Sequence, residues 1–179
     1  MEGRKPVRVI YSEEILLRRV GALAALIDSS YPDVEDSSDL LVLGLLKGSF
    51  LFVADLVRRM KRPHHVDFIV AGSYGADTKS SGEVKIKYEP DLPITGRHVL
   101  VVEDIIETGN TLNHVCRYLE KKEPRTLRTC TLLHKRVAGS LEYEPKFVGF
   151  DAPRSFLVGY GLDHAEDYRH LPWIASIED

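Results

Sequence analysis

The strongest chemical signal in the sequence is a pair of adjacent acids at the end of an apolar run. Glu103 and Asp104 follow Val99–Val102, and carboxylates can accept hydrogen bonds from the hydroxyl groups of a sugar. A short loop that contains glycine, Glu107–Thr111, comes next, and a helix is expected to begin near its end. The backbone N–H groups of such a loop favour a bound anion, and the helix dipole adds to this effect. The pattern therefore predicts a site for an anion beside hydroxyl groups.

A second apolar run also ends abruptly in residues that can do chemistry. Leu40–Leu46 is followed directly by Lys47, Gly48 and Ser49. A lysine there could be an ordinary solvated loop residue. The sudden change from apolar to cationic sequence favours a functional loop, because the lysine ammonium carries three hydrogen-bond donors and a positive charge.

These loops must be positioned by the elements around them. Short apolar runs indicate buried strands, and they are Leu40–Leu46, Val66–Ala71, Val99–Val102, Leu127–Leu133, Phe147–Phe150 and Phe156–Val158. Residues at helical spacing lie between several of these runs. Strands that alternate with helices predict an α/β fold with a mostly parallel sheet flanked by helices. In such sheets ligands bind beyond the carboxyl ends of the strands, where both loops lie.

Three segments have apolar residues at the spacing of an amphipathic helix. The first begins after Ser12, whose side chain suits a helix N-cap, and it has acidic residues in its first turn. Each set of apolar positions predicts the helix face that packs on the sheet. The sets are Leu16, Val20, Leu23 and Ile27; Phe50, Val53, Ala54 and Val57; and Leu112, Val115, Cys116 and Leu119.

A long polar stretch runs from Ser73 to Pro93, with at most a weak hairpin around Val84–Tyr88. Long loops inside a compact domain are usually lids or binding loops. The alternative is a solvated excursion without a function.

The whole chain limits the class of protein. Its 179 residues suit a single domain spanning residues 1–179, and its net charge of −3 argues against a nucleic-acid partner, which would need clustered basic residues. No apolar run is long enough to predict a membrane span, and no signal peptide is evident. The cysteines, Cys116 and Cys130, form no disulfide or metal pattern. We therefore expect reduced thiols in a cytoplasmic protein.

The segment Val99–Thr111 resembles the motif with which type I phosphoribosyltransferases bind phosphoribosyl pyrophosphate (PRPP). That motif comprises hydrophobic residues, two acids and a loop containing Thr-Gly, in the order found here. Further segments resemble the hypoxanthine-guanine phosphoribosyltransferases of purine salvage: Leu45–Phe50, Ser73-Tyr74, Leu132–Arg136, Phe156–Asp163 and Tyr168-Arg169. The matches run in order along most of the chain.

The resemblance implies a fold, a cofactor and partners. The fold would be that of the type I phosphoribosyltransferases, with a mobile lid loop at about 73–93 and a small hood. The substrates would be PRPP and a purine base, with magnesium as the cofactor. The resemblance further implies a homodimer or homotetramer with neither a nucleic-acid nor a membrane partner.

The resemblance also implies roles for individual residues. Those that bind PRPP would be Glu103, Asp104, Thr108, Gly109, Asn110, Thr111, Lys47, Gly48 and Arg169. Those that bind the purine would be Lys135, Phe156, Leu157 and Asp163. Magnesium would be held by Glu103, Asp104 and Asp163. The lid would open with Ser73 and Tyr74, and the Leu46–Lys47 peptide would be cis.

The implied reaction transfers the 5-phosphoribosyl group from PRPP to N9 of hypoxanthine or guanine, giving IMP or GMP and pyrophosphate. The purine loses its N7 proton, so a carboxylate is needed beside N7. The family normally has aspartate at that position, and this chain has Glu107. The extra methylene is expected to lower turnover more than binding. Two alternatives stay open: a xanthine- or guanine-preferring enzyme, and a PRPP-binding regulator whose catalysis is weak because of Glu107.

Overall fold

The computed structural model describes residues 7–31, 39–73, 84–137 and 141–178. The strands in chain order are β1 (Val7–Tyr11), β2 (Leu40–Leu46), β3 (His65–Ser73), β4 (Val84–Tyr88), β5 (His98–Ile106), β6 (Thr126–His134), β7 (Phe147–Asp151), β8 (Leu157–Val158) and β9 (Ile174–Ile177). The helices are α1 (Glu13–Ser30), α2 (Phe50–Val57) and α3 (Asn110–Glu120).

The main sheet has six strands in the order β4-β3-β2-β5-β6-β7. β4 is antiparallel to β3, and the other neighbouring pairs are parallel. The expected α/β fold with a mostly parallel sheet is therefore confirmed. The weak hairpin expected around Val84–Tyr88 is β4, whose partner is β3.

A smaller antiparallel sheet joins the two ends of the chain in the order β1-β9-β8. It corresponds to the small hood that the resemblance implied. β9 was not predicted from the sequence. In a strand of four residues, the alternation of apolar and polar side chains is too short to distinguish the strand from a loop.

The main sheet is covered on both faces, as a parallel sheet must be. Alternate residues of β2 point into different apolar clusters: Leu40 and Val42 pack with α1 and α2, and Leu41 and Leu43 pack with α3. The whole of β2 is apolar for this reason. The resulting three layers place the carboxyl ends of β2 and β5 side by side, because these strands pair directly.

Two of the helices bury the faces that their spacing predicted. In α1 the Ser12 side chain accepts a hydrogen bond from the Ile15 N–H, as expected of an N-cap. The residues predicted to be buried are buried in both helices: Leu16, Val20, Leu23 and Ile27 in α1, and Leu112, Val115, Cys116 and Leu119 in α3.

Of the four residues predicted for the buried face of α2, only Val53 is buried. The buried residues of the helix are Phe52, Val53 and Leu56, while Phe50 is 40% exposed. Nearly every residue of this short helix is apolar, so more than one face fits the spacing. The packing against the sheet, which the sequence does not show, decides between them.

Both edges of the main sheet carry basic side chains. At the β7 edge, Arg19 of α1 donates from Nε to the Gly149 carbonyl at 2.6 Å and from Nη2 to the Val148 carbonyl at 2.7 Å. At the other edge, β4 contains Lys85 and Lys87.

Both cysteines are free and buried, as expected. Burial raises the pKa of the Cys116 thiol to about 12. In the described part of the chain, no helix combines the length and the apolar character needed to cross a membrane.

Candidate active site

Of the two acids at the end of β5, Glu103 is buried and Asp104 is half-buried. Burial raises the pKa of Glu103 well above its ordinary value, and the charge of Asp104 raises it further. Burial also raises the pKa of Asp104 to about 6, although backbone N–H groups and Arg169 oppose the shift. Glu103 Oε2 is buried without a hydrogen-bond partner among the residues that the structure describes. Buried polar atoms normally have partners, so this oxygen is available to a ligand's hydroxyl group or to a cation.

The loop after β5 ends in an uncapped helix. Gly109 is the N-cap of α3 with φ +77°, and no side chain caps the helix. The first N–H groups of a helix have no partner within it, and that of Asn110 makes only a long hydrogen bond of 3.5 Å to Thr108 Oγ1, which an anion can replace. These N–H groups border a cavity of about 220 Å³. Its lining residues are Glu103, Ile105, Ile106, Glu107, Thr108, Gly109, Asn110, Thr111 and Leu112.

Glycine is required at position 109 for two reasons. Its positive φ is a conformation that side chains rarely adopt, and a Cβ there would lie 2.2 Å from Leu141 Cδ2. The loop therefore packs tightly against a residue from beyond β6.

The Lys47-Gly48 loop lies directly against the acid pair. The Leu46–Lys47 peptide is cis, as the resemblance implied. A Cβ on Gly48 would lie 1.8 Å from Asp104 Oδ2, and one on Gly161 would lie 2.1 Å from the Gly48 carbonyl oxygen. Gly48 is thus sandwiched between the Asp104 carboxylate and the segment that contains Gly161.

Lys47 and Arg169, the two cations expected at the pyrophosphate, meet in one ionic cluster. Arg169 Nη2 lies 2.8 Å from Asp163 Oδ1, and Arg169 Nη1 donates to the Gly161 carbonyl at 2.7 Å. Lys47 Nζ lies 2.9 Å from Glu166 Oε1, and Arg169 Nη2 lies 3.3 Å from Glu166 Oε2. Glu166 was not predicted from the sequence to belong to this site. The only hint in the sequence was that it lies three residues from both Asp163 and Arg169.

The structure also brings together Lys135 and Glu107. Their side chains form an ion pair in which Lys135 is 8% exposed and Glu107 is 52% exposed. The Lys135 backbone N–H donates to the Ile106 carbonyl at 2.9 Å, which ties the start of this loop to the end of β5. The longer acid therefore reaches the lysine expected to bind the purine.

Among the remaining predicted residues, Leu157 lies in the hood, Phe156 directly precedes it, and Ser73 lies in the main sheet. Phe156 is 53% exposed and meets His164 edge-on with ring centroids 5.5 Å apart, so one ring face is open for stacking. Leu157 is buried and pairs with Ser176 in the hood sheet. Ser73 is the last residue of β3.

The predicted lid residue Tyr74 lies outside the described residues, as does part of the lid loop.

A partly buried hydrogen bond that was not predicted from the sequence joins the segment around Gly161 to α2. The Tyr160 hydroxyl donates to Asp55 Oδ2 at 2.7 Å, and Tyr160 has a positive φ of 50° between Gly159 and Gly161. Asp55 also pairs with Arg59 at 3.1 Å. The partners are 105 residues apart, so no local pattern could reveal the contact.

Comparisons with known proteins agree with this geometry. Residues 7–165 match the family described as the phosphoribosyl transferase domain. The hypoxanthine phosphoribosyltransferase of Salmonella typhimurium is 43% identical over 171 residues, which cover 96% of this chain and 95% of that protein. The hypoxanthine-guanine phosphoribosyltransferase of Aquifex aeolicus is 44% identical over 175 residues, which cover 98% and 97%. A crystal structure of the hypoxanthine-guanine phosphoribosyltransferase of Bacillus anthracis, with HEPES in its active site, is 40% identical with a TM-score of 0.88, covering 98% of this chain and all of that one.

Proposed function

The chain belongs to the phosphoribosyl transferase family, and on that premise we propose that it transfers the 5-phosphoribosyl group of PRPP to N9 of hypoxanthine or guanine. The products are IMP or GMP and pyrophosphate. One observation carries the proposal: the acids at the end of β5, the start of α3 and the Lys47-Gly48 loop meet beyond the carboxyl ends of β2 and β5. The names of the relatives support the choice of purine.

PRPP is bound by three parts of the site: the start of α3, the acids at the end of β5 and the loop after β2. Its 5′-phosphate accepts hydrogen bonds from the backbone N–H groups at the start of α3 and from the Thr108 and Thr111 hydroxyls. Asn110, the first residue of α3, contributes its N–H. The ribose hydroxyls donate to Glu103 and Asp104.

The pyrophosphate of PRPP lies against the loop after β2. The Gly48 backbone can approach it closely because glycine has no side chain, while Lys47 and Arg169 supply positive charge. These two cations stabilise the charge that develops on pyrophosphate as it leaves.

Magnesium fits the acids at the end of β5. Glu103 and Asp104 offer hard oxygen ligands, one of them a buried oxygen without a partner in the described residues. A second ion could use Asp163. Within the described ranges, no group of three or more histidine, cysteine, aspartate or glutamate side chains could hold a metal alone. The other ligands would come from PRPP and water, as is usual for magnesium, which when bound neutralises phosphate charge.

The purine binds between the end of β6 and the hood. Phe156 stacks on its ring, and Lys135 donates to O6, the oxygen that hypoxanthine and guanine share and adenine lacks. The Leu157 backbone and Asp163 complete the pocket. Adenine has no O6, so its binding would leave the Lys135 ammonium without a hydrogen-bond acceptor. We therefore expect the site to reject adenine.

Bond formation requires the purine to lose a proton. The glycosidic bond to N9 forms as the bond between C1′ and pyrophosphate breaks, and the electron pair of that bond leaves with pyrophosphate. Glu107 accepts the proton from N7. Closure of the lid, which Ser73 and Tyr74 begin, excludes water that would otherwise attack the sugar.

A product assay tests the proposal. We expect IMP and pyrophosphate from hypoxanthine, PRPP and magnesium, and GMP from guanine, with chromatography to identify the nucleotide. Adenine should give no product. Xanthosine monophosphate as the main product would favour the xanthine-preferring alternative. PRPP binding with no nucleotide from any base would favour the regulator.

Three further expectations belong to the same proposal. The chain is a single domain spanning residues 1–179, acts in the cytoplasm and forms a homodimer or homotetramer. Light scattering after size-exclusion chromatography measures the last of these. A monomer at the concentrations used for the activity assay would contradict it.

A further inference from the structure

Glu166 lies where two cations of the active site converge. Its carboxylate contacts Lys47 Nζ at 2.9 Å through Oε1 and Arg169 Nη2 at 3.3 Å through Oε2. These are the cations that the proposed function assigns to pyrophosphate. One carboxylate therefore bridges both of them with its two oxygens, as two oxygens of a phosphate group would.

The backbone holds Glu166 in this position. The His164 and Asp167 N–H groups and carbonyls exchange two hydrogen bonds, of 3.2 Å and 3.1 Å, around a two-residue turn. Its central residues, Ala165 and Glu166, have φ of +52° and +69°. Turns with positive φ at both positions favour asparagine and glycine.

A β-turn of this kind is therefore costly for Ala-Glu. Non-glycine residues held at positive φ are concentrated at functional sites. The Glu166 N–H also donates to Asp163 Oδ2 at 2.9 Å, which fixes the turn to the same ionic cluster. The positions of the backbone and the carboxylate are thus set together.

The electrostatics agree with the geometry. Lys47 Nζ donates to one oxygen of Glu166 and Arg169 Nη2 donates to the other, so two positive charges face this carboxylate. Lys47 and Glu166 are each 66% exposed, and an incoming anion can reach both without unfolding the turn.

From these observations we infer that Glu166 is an internal substitute for pyrophosphate, which occupies Lys47 and Arg169 in the empty site and competes with the pyrophosphate group of the substrate. This inference rests on the proposed function. When PRPP binds, the two cations exchange one carboxylate for phosphate oxygens. When pyrophosphate leaves, the carboxylate returns to them and opposes rebinding.

Removal of the carboxylate should therefore tighten binding. Exposed ion pairs are weak, so we expect Glu166→Gln to lower the dissociation constant of pyrophosphate by roughly threefold. The KM for PRPP should fall to a similar extent, while the KM for hypoxanthine should not change. A purely structural role predicts the opposite sign, since a damaged turn would weaken binding.

The experiment compares wild type, Glu166→Gln and Glu166→Gly by calorimetric titration with pyrophosphate in the presence of magnesium. Glycine also removes the carboxylate, and it adopts positive φ without strain, so it keeps the turn. Glu14→Gln is the matched control, because Glu14 is in an exposed ion pair with Arg18 at 2.6 Å on α1. This control should bind pyrophosphate as the wild type does.

Dependence on Lys47 gives a second readout. When Lys47 is already replaced by alanine, Glu166→Gln should change the dissociation constant of pyrophosphate much less. The shorter of the two ionic contacts of Glu166, the one with Lys47, is then absent. Equal effects in both backgrounds would show that the charge acts generally and would overturn the inference.

Unchanged or weaker pyrophosphate binding in both Glu166 variants would also overturn it, as would failure of both variants to fold. These results differ from failure of the proposed function. In that case the wild type itself would form neither IMP nor GMP, whether or not it binds pyrophosphate.

Discussion

Two regions contact PRPP in the proposed function, and they are built in opposite ways. At the end of β5, Glu103 is buried, and in the phosphate loop, residues 107–111, Gly109 packs so closely on Leu141 that a Cβ would clash with it. In the ionic turn, defined as residues 163–169, the exposed Glu166 pairs with the half-buried Arg169 and with the exposed Lys47 of the loop after β2. The first region is preorganised, so the addition of a single methyl group there should disrupt PRPP binding. The second should tolerate substitution of its side chains, and its binding of pyrophosphate should depend on salt concentration.

The largest effect is expected from Gly109→Ala. The new Cβ would lie 2.2 Å from Leu141 Cδ2 at a φ of +77°. Positive φ costs a non-glycine residue about 1–2 kcal/mol, and relief of the clash requires that Leu141 or the loop move. A shift of about 1 Å can reduce rates about a hundredfold. We therefore expect kcat/KM for PRPP to fall by at least about that factor.

Gly96→Ala is the matched control for this loop. Gly96 has φ +73°, but a Cβ there would meet no described atom within 4 Å. It shares the backbone strain without the clash, so its kcat/KM for PRPP should be nearly normal. Equal losses in the two variants would mean that the loop is less tightly constrained than its packing indicates.

Lys135→Ala should have the next largest effect and act on the purine alone. A hydrogen bond from a charged donor to O6 contributes about 1.5–3 kcal/mol, which is about one to two decades in kcat/KM for hypoxanthine. The KM for PRPP should stay nearly constant. Arg136→Ala is the control, because Arg136 is exposed and paired with Asp151. If both variants lost activity equally, Lys135 would have no special role at O6.

The Glu107 variants should change kcat by a smaller factor. The carboxylate of Glu107 pairs with Lys135 in the structure, and this ion pair competes with its approach to N7. Glu107→Asp shortens the side chain and should raise kcat about tenfold, which is part of the usual range for proton-transfer catalysis. Steady-state kinetics at saturating PRPP measures this.

Glu107→Gln separates charge from shape. It removes the proton acceptor and should lower kcat about tenfold, while the KM for PRPP stays within a few-fold. A glutamine variant as active as the wild type would show that Glu107 is not the base. A lower kcat in Glu107→Asp would mean that the site is built around the longer acid.

The smallest effect is expected from salt. Raising potassium chloride from about 0.05 M to about 0.5 M shortens the screening length, which weakens exposed ionic contacts most. Lys47 is 66% exposed, so the dissociation constant of pyrophosphate should rise by roughly threefold more than that of IMP. Equal salt dependence for both ligands would contradict the contrast between the two regions.

The same contrast explains what could be predicted from the sequence. β2 and β5 are buried on both faces, and their apolar runs were identified for that reason. The phosphate loop follows β5 directly in the chain, so its residues are neighbours in sequence as well as in space. The parts of the fold and of the site that depend on residues close together in the sequence could therefore be predicted.

Contacts between residues that are far apart in the sequence could not be predicted. Lys47 and Glu166 are 119 residues apart and meet only because the segment containing Gly161 lies on the Gly48 carbonyl. The family resemblance supplied Lys47 and Arg169 but not the acid between them. The buried face of α2 was missed for a related reason, since a helix apolar on nearly all sides takes its orientation from its neighbours.

The basic side chains at the edges of the main sheet bear on aggregation. An edge strand exposes backbone groups that can pair with a strand of another molecule, and charged residues there discourage such pairing. Arg19 already occupies the carbonyls of Val148 and Gly149 in β7, while Lys85 and Lys87 place like charges along β4. Two copies approaching edge to edge would have to displace a guanidinium or bring lysines together. The sheet that holds the active site is thus protected from growing into a fibre.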